Sequence, residues 1–442
     1  MKRVLIITYY WPPSGGAGVQ RWLKFVKYLR EYGWEPLIYT PENPEYPETD
    51  LSLYQDVPEN LGVLKQPIWE PYDSYKRLLG QKKEEKINAA FLSEKKKNSF
   101  LENISIWIRG NLFIPDARKF WIRPSIRFLS RYLEEQPVDA VISTGPPHSM
   151  HLIAMKVSEK LKIPWLADFR DPWTGIDFYR DLKLTHRADE KHKKLEKEVL
   201  DRADVVTVIS HHMAGDCRKI HERQYEVITN GYDPADLEQT GTSAMDEKFS
   251  IAHIGTLVSS RNPETLWIAL REMVNENPQF SSDLEIKLVG KVDYKVTESI
   301  SRFGLSGFVR KTDYLPHSEV VICQQQSAVL LLIINNTPNA KMILTGKFFE
   351  YLAARRPILC LGPADGDAAL ILKETNAGLL AGFGDTVTMK SNILQFYRKY
   401  KEGTLFPESR NIEKYSRREL TGKLAALLDD MISHGKIRLS GT

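Results

Sequence analysis

Short apolar runs alternate with stretches of helical period along this chain, and the alternation occurs twice. Runs at 4–8, 37–40, 138–143, 165–169, 205–209 and 226–229 have the length and continuous apolar character of strands buried on both faces. Between them Val19, Trp22, Leu23, Val26 and Leu29 recur at helical spacing, and 147–161 and 187–202 read as further helices. A second series of strands follows at 249–254, 284–289, 329–334, 358–361 and 379–381. Its helices are predicted to begin near Pro263, Asp293, Pro316, Gly346 and Asp367. Such alternation builds a parallel sheet covered by helices, so the fold class is α/β with two Rossmann-like domains facing across a cleft. A final amphipathic helix is predicted over 410–432, with Leu420, Leu424, Leu427, Leu428 and Met431 on one side. The implied division is an N-terminal domain 1–233, a polar linker 234–247, a C-terminal domain 248–405 and a C-terminal segment 406–442 packing back on the first domain.

The stretch 41–120 breaks the alternation and reads as an irregular insertion. Between residues 76 and 97 it carries eight basic residues against three acidic ones. Phe91, Phe100, Trp107, Ile108, Phe113, Phe120 and Trp121 lie in or near that run. Interleaved basic and aromatic residues suit a membrane surface or an anionic lipid head group; a solvated insertion is the other reading.

Composition narrows the field. The 442 residues suffice for two domains, and a formal net charge of +4 argues against a nucleic-acid binder. The three cysteines, Cys217, Cys323 and Cys360, are too few and too scattered for a disulfide framework or zinc site and fit a reducing cytosol. No apolar run reaches the ~18 residues of a membrane span. The N-terminal MKRVLIIT reads as a first strand and not as a signal peptide.

The candidate chemistry sits in the strand-to-helix turns. After the first strand, YYWPPSGGAG holds Gly15 and Gly16, which allow close approach of a ligand phosphate or sugar, or serve a plain tight turn. Arg21, on the following helix, reads as a surface residue. Gly346 and Lys347 begin a helix that follows a buried strand, and Glu350 lies one turn on. A helix start with free N–H groups and a nearby cation suits a phosphate, and a carboxylate one turn deeper suits ribose hydroxyls. The alternative is an ordinary strand–helix unit with a surface lysine and a paired glutamate. His148, at a predicted helix start, either orients an acceptor or sugar or caps the helix. Arg170 and Asp171 either contact donor phosphate or acceptor hydroxyl, or pair with each other to fix their loop. Asp365-Gly366-Asp367 has the spacing of a metal-holding pair but precedes a helix, so a helix cap is the better reading.

The ordered motifs GGAG, STGPPHSMHL, ADFRDPW, TNGYD, IGTL with RNP, and GKFFEYLAARRPIL resemble those of bacterial glycosyltransferases of family 4, the group 1 glycosyltransferases, which have the two-Rossmann GT-B fold. The resemblance covers most of the chain and is weakest over 41–120. It implies transfer of a sugar from a nucleotide-diphosphate sugar with retention and no metal, the donor lying in the C-terminal half and the acceptor in the N-terminal half. By similarity Arg261 and Lys347 are the cations beside the donor diphosphate, and Glu350 holds the ribose. The family pattern has a further glutamate where Met342 stands, and often an arginine where Thr256 stands. The implied role is cell-envelope glycan synthesis, such as lipopolysaccharide or another polysaccharide, on a lipid-linked or glycan acceptor. The implied place is the cytoplasm, at the inner face of the membrane. A nucleotide-sugar epimerase of the same double-Rossmann plan and a non-catalytic nucleotide-sugar binder are the competing classes.

Overall fold

The computed structural model describes residues 1–46, 48–70, 100–238, 244–313, 315–407 and 409–440. The basic run at 76–97 therefore lies outside the described residues. The chain divides into two compact units, one of residues 1–229 with 420–442 and the other of 230–419.

The first unit holds strands β1 (Lys2–Ile7), β2 (Trp34–Pro41), β3 (Gly62–Gln66), β4 (Ala140–Gly145), β5 (Trp165–Phe169), β6 (Val205–Val208) and β7 (Glu226–Val227). They form one parallel sheet in the order β3-β2-β1-β4-β5-β6-β7. The order reverses between β1 and β4, the place where doubly wound folds bind ligands outside the carboxyl ends of their strands. The helix Arg417–Ser440 belongs mainly to this unit. Leu420, Leu424, Leu428 and Met431 join the core formed by β1, β2 and the helix Ala17–Leu29. Asp429 fastens it, accepting from Lys2 Nζ at 2.5 Å and Trp34 Nε1 at 2.9 Å.

The second unit holds β8 (Phe249–Ile254), β9 (Leu284–Val289), β10 (Val309–Thr312), β11 (Val329–Ile333), β12 (Ile358–Leu361) and β13 (Gly378–Ala381). These are parallel in the order β10-β9-β8-β11-β12-β13, with the reversal between β8 and β11. The alternation of strand side chains is visible in the two cores. Val329, Leu331 and Ile333 pack on one face of the sheet, and Leu330, Leu332 and Ile334 on the other.

Several expectations need correction. Residues 230–233, expected to close the first half, belong to the second unit: Tyr232 exchanges backbone hydrogen bonds with Tyr415 and Arg417. Residues 406–419 belong there too. The insertion contains β3 and the helix Phe100–Leu112, and a second helix, Lys119–Glu135, begins at its end. Strands β3 and β10 escaped the apolar pattern because both are sheet edges of mixed sequence, GVLKQ and VRKT, with no fully buried residue. Trp121 is not part of a free aromatic surface; it is buried and stacks on Tyr39 at 4.8 Å.

Candidate active site

In the second unit the ends of β8 and β11 bring together Gly255, Arg261, His253 and Lys347. Gly255 follows β8 with φ +116°, a conformation that favours glycine. A Cβ built there would lie 2.3 Å from Lys347 Nζ, so the lysine ammonium occupies the space that the missing side chain leaves. Lys347 reaches that spot from the first turn of the helix Gly346–Ala353, which follows β11 through the loop 334–345. Burial, with the positive charge of Arg261 added, pushes the Lys347 amine down to about 8, and Glu350 pulls weakly the other way. Among the described residues no carboxylate comes within ion-pair distance of it. Arg261 ends a short turn, Ser259–Arg261, and its buried Nε has no hydrogen-bond partner among the described residues. Two cations without an anion between them are costly to hold together, and they become favourable once an anion enters.

The helix start completes the pocket. Thr345 holds the N-cap position without a side-chain cap, and its buried Oγ1 has no partner among the described residues. The first turn carries no acid. A Cβ on Gly346 would meet nothing within 4 Å, so internal packing does not require glycine and the space above the helix start is open. A helix start with an open approach and two cations beside it has the chemistry of an anion cradle.

Glu350 accepts from Gln324 Nε2 at 3.2 Å through one oxygen, which orients the carboxylate. Met342, eight residues earlier, is buried, and Thr256 is exposed. His253 was not anticipated. It interrupts the apolar run of β8, is 3% exposed, and its Nδ1 donates to the Leu331 carbonyl at 3.2 Å. Burial, then the charge of Lys347, drives its imidazole down to about 3, so it is neutral. The signal was legible: a histidine at the carboxyl end of a largely apolar strand, FSIAHI.

The remaining candidates lie in the first unit and are described separately. His148 does not cap the helix Ser149–Leu161; its side chain makes no cap hydrogen bond, and Asp116 serves instead through Ser149 N at 2.8 Å and Oγ at 2.7 Å. The His148 ring stacks on Trp173 at 4.4 Å, and its buried Nδ1 has no partner among the described residues. Burial, reinforced by His151, His192 and Arg170, lowers its imidazole well below the usual value. Trp173 is held in turn by its indole N–H, which donates to His192 Nδ1 at 3.1 Å.

Arg170 and Asp171 form no ion pair. Arg170 donates to the carbonyls of Gly18, at 2.6 Å, and Pro146, joining the glycine-rich turn to the loop after β4. Asp171 is exposed, so solvent screens the upward push that its dense surroundings exert on the carboxyl, and Arg170 opposes it. Gly15 lacks room for a side chain because the chain itself fills it: a Cβ would lie 3.3 Å from Asp50 Cβ and 3.4 Å from Glu48 Cβ. Gly16 has φ +84°, and a Cβ there would face Glu48 Oε2 at 3.9 Å. Two nearby acids make this turn a poorer host for phosphate than for a neutral hydroxyl.

Arg21 is a buried residue and not a surface one. It is 1% exposed and binds Asp168 through NH2 at 2.8 Å and Nε at 3.2 Å. In the second unit Asp365 pairs with Lys341, Gly366 takes the N-cap position, and Asp367 is the first helical residue, so neither acid is the cap.

Residues 90–236 match the family model described as Glycosyltransferase Family 4. No curated protein matches the chain. Among solved structures it is similar to sucrose-phosphate synthase of Thermosynechococcus elongatus, at 14% identity and a TM-score of 0.57 with 100% of both chains covered. It is similar also to alpha,alpha-trehalose 6-phosphate synthase of Burkholderia multivorans, at 11% identity and a TM-score of 0.58 with 99% of this chain and 98% of that one covered. Anabaena HepE in complex with UDP matches at 13% identity and a TM-score of 0.56 over 100% of both chains. At such identities the likeness is one of fold, the two-Rossmann GT-B plan. Over residues 90–236 the chain is thus similar to glycosyltransferase family 4, and its fold is that of GT-B glycosyltransferases. No helix among the described residues is long and apolar enough to cross a membrane.

Proposed function

We propose that the chain transfers a sugar, with retention and without a metal, from a nucleoside diphosphate sugar to a hydroxyl of a lipid-linked or polysaccharide acceptor, in cell-envelope glycan synthesis at the cytoplasmic face of the membrane. The observation that carries this reading is the pair Lys347 and Arg261 at the switch point of the second sheet, with no carboxylate in ion-pair distance of either among the described residues. A departing nucleoside diphosphate gains negative charge as the glycosidic bond breaks. Cations already in place stabilise that charge most in the transition state. In this reading the helix N–H groups at Gly346 share the diphosphate and Glu350, oriented by Gln324, takes the ribose hydroxyls. His148, Arg170 and Asp171 serve the acceptor or the transferred sugar. Gly16, whose surroundings are more open than those of Gly15, approaches a sugar hydroxyl. In this reading the two cations supply the positive charge that a divalent ion supplies in other enzymes, and no metal takes part.

The test is incubation of the purified chain with UDP-, GDP-, ADP- and TDP-sugars, with and without a lipid-linked acceptor and a chelator. Nucleoside diphosphate and a glycoside, formed in the presence of chelator, are the expected products. A new nucleotide sugar without acceptor would make the chain an epimerase, and stabilisation by donor without turnover would make it a binder.

One consequence concerns pH. A diphosphate needs the lysine charged, and in the free chain that amine titrates near 8. Affinity for nucleoside diphosphates should therefore fall as pH rises through about 8, by roughly tenfold per unit above it. Calorimetric titration across that range checks this, and an affinity that stays flat contradicts it.

A further inference from the structure

The first unit carries an apolar patch that continues into a row of exposed arginines. Trp69 is 59% exposed and meets Phe120, 42% exposed, edge to face at 4.8 Å. Phe113 meets Phe120 at 6.0 Å. Lys119 lies over both phenyl rings, at 5.6 and 5.0 Å, and donates to the carbonyl of Leu112, itself 53% exposed. From Phe120 the helix Lys119–Glu135 presents Arg123, Arg127 and Arg131 at spacings of three, seven and eleven residues, which is one helix face. The row extends the patch by about 16 Å. All three arginines are exposed, and none has an ion-pair partner among the described residues. Burial and the like charge of Lys191 press the Lys119 amine downward, so the cations here crowd one another.

Exposed aromatic rings beside a line of uncompensated guanidinium groups match one surface chemistry. The rings suit the boundary between lipid head groups and acyl chains, and the cations suit anionic head groups. We propose that this face docks the chain on an anionic lipid bilayer. The patch adjoins the loop 113–118, whose Asp116 caps the helix that begins beside His148. Docking there would hold the carboxyl end of the first sheet near a lipid-borne substrate. In that respect the inference deepens the lipid-linked acceptor reading and rests on it, although the docking itself is measured without any sugar chemistry.

The experiment is co-sedimentation of the full chain with vesicles of phosphatidylcholine alone or mixed with phosphatidylglycerol, at low and high salt. Binding is expected with the anionic vesicles only, and weaker in salt. The triple variant R123A/R127A/R131A should bind roughly 100-fold more weakly, since each surface arginine contributes several-fold. W69S/F120S should lose binding that salt does not affect. These side chains are exposed, so both variants should keep the thermal stability of the wild type and its stabilisation by nucleoside diphosphates. Failure to bind anionic vesicles, or equal binding by the variants, overturns the proposal. A dimer that W69S/F120S dissociates also overturns it, because a second copy would then cover the patch. Sugar transfer to a water-soluble acceptor by a chain that ignores vesicles removes the docking and leaves the transferase. Vesicle binding by a chain that turns over no donor supports the docking and removes the transferase.

Discussion

Replacing Lys347 by methionine is expected to slow sugar transfer about 100- to 1,000-fold, to weaken nucleoside diphosphate binding, and yet to stabilise the free chain. Methionine keeps the apolar stem and removes only the charge. In the free chain that charge is unfavourable, because burial and Arg261 hold the amine at about 8 against an ordinary value of 10.5. The sign follows from proton counting. Between those two values the unfolded chain keeps a proton that the folded chain has released, so stability rises with pH across that window. Below about 8 the full cost is present, about 3 kcal/mol for a fall from 10.5 to about 8. The variant escapes it. A lysine that merely packed the helix would behave oppositely, its loss lowering the melting temperature and sparing transfer. Arg261→Ala should act in the same direction on both readouts. The double variant should lose less activity than the product of the single losses, because the two cations serve one anion. Calorimetry of the free chain beside initial rates of transfer decides the matter. A Lys347→Met chain that melts earlier and transfers normally would remove the lysine from the site.

Much of this architecture was legible because central parallel strands are apolar on both faces. Val329 to Ile334 and Ile358 to Leu361 could be read as strands directly, and with them the helix start carrying Lys347. Legibility failed where one residue's surroundings come from distant segments. Arg21 sits at a position indistinguishable from a surface arginine until β5 brings Asp168 beneath it. Gly15 read as room for a ligand, whereas the chain at 48–50 fills that room. For Arg170 a ligand contact and a pair with its neighbour Asp171 were both open, but its hydrogen bonds go to carbonyls far away in sequence. Edge strands fail for a different reason, since they lack the two-sided burial that makes a strand conspicuous. The anion cradle shows both behaviours. Its helix start is local and readable, while the closeness of Arg261 and Lys347 depends on Gly255 and on the strand order.

Asp168→Asn is expected to destabilise the first unit by about 3–5 kcal/mol, as is Arg21→Leu, because each leaves the other partner charged, buried and alone. Burial by itself would raise the Asp168 carboxyl, but the charge of Arg21 and the hydrogen bonds from Arg21, Trp22 and Thr207 hold it below the usual carboxylate range. Thr144 Oγ1 also donates to it, at 2.9 Å. Arg21 extends the network to the carbonyls of Ile228 and Thr229 at 2.9 and 2.8 Å. One carboxylate thus ties the ends of β4, β5 and β6 to the first helix. Because the folded value is depressed, its stabilising contribution is present above the ordinary carboxylate value. It is lost as pH falls through the folded one. Acid unfolding of the wild type should therefore contain a component that Asp168→Asn lacks. The double variant R21M/D168L should cost much less than the two single changes together, since it removes both charges and restores apolar volume. Denaturant unfolding of the four chains gives the coupling. Single changes costing under about 1 kcal/mol, the size of an ordinary hydrogen bond, would mean that water already reaches the pair. A double variant as costly as the sum would mean that Arg21 and Asp168 act separately, and that the loops carrying His148 and Arg170 are held by something else.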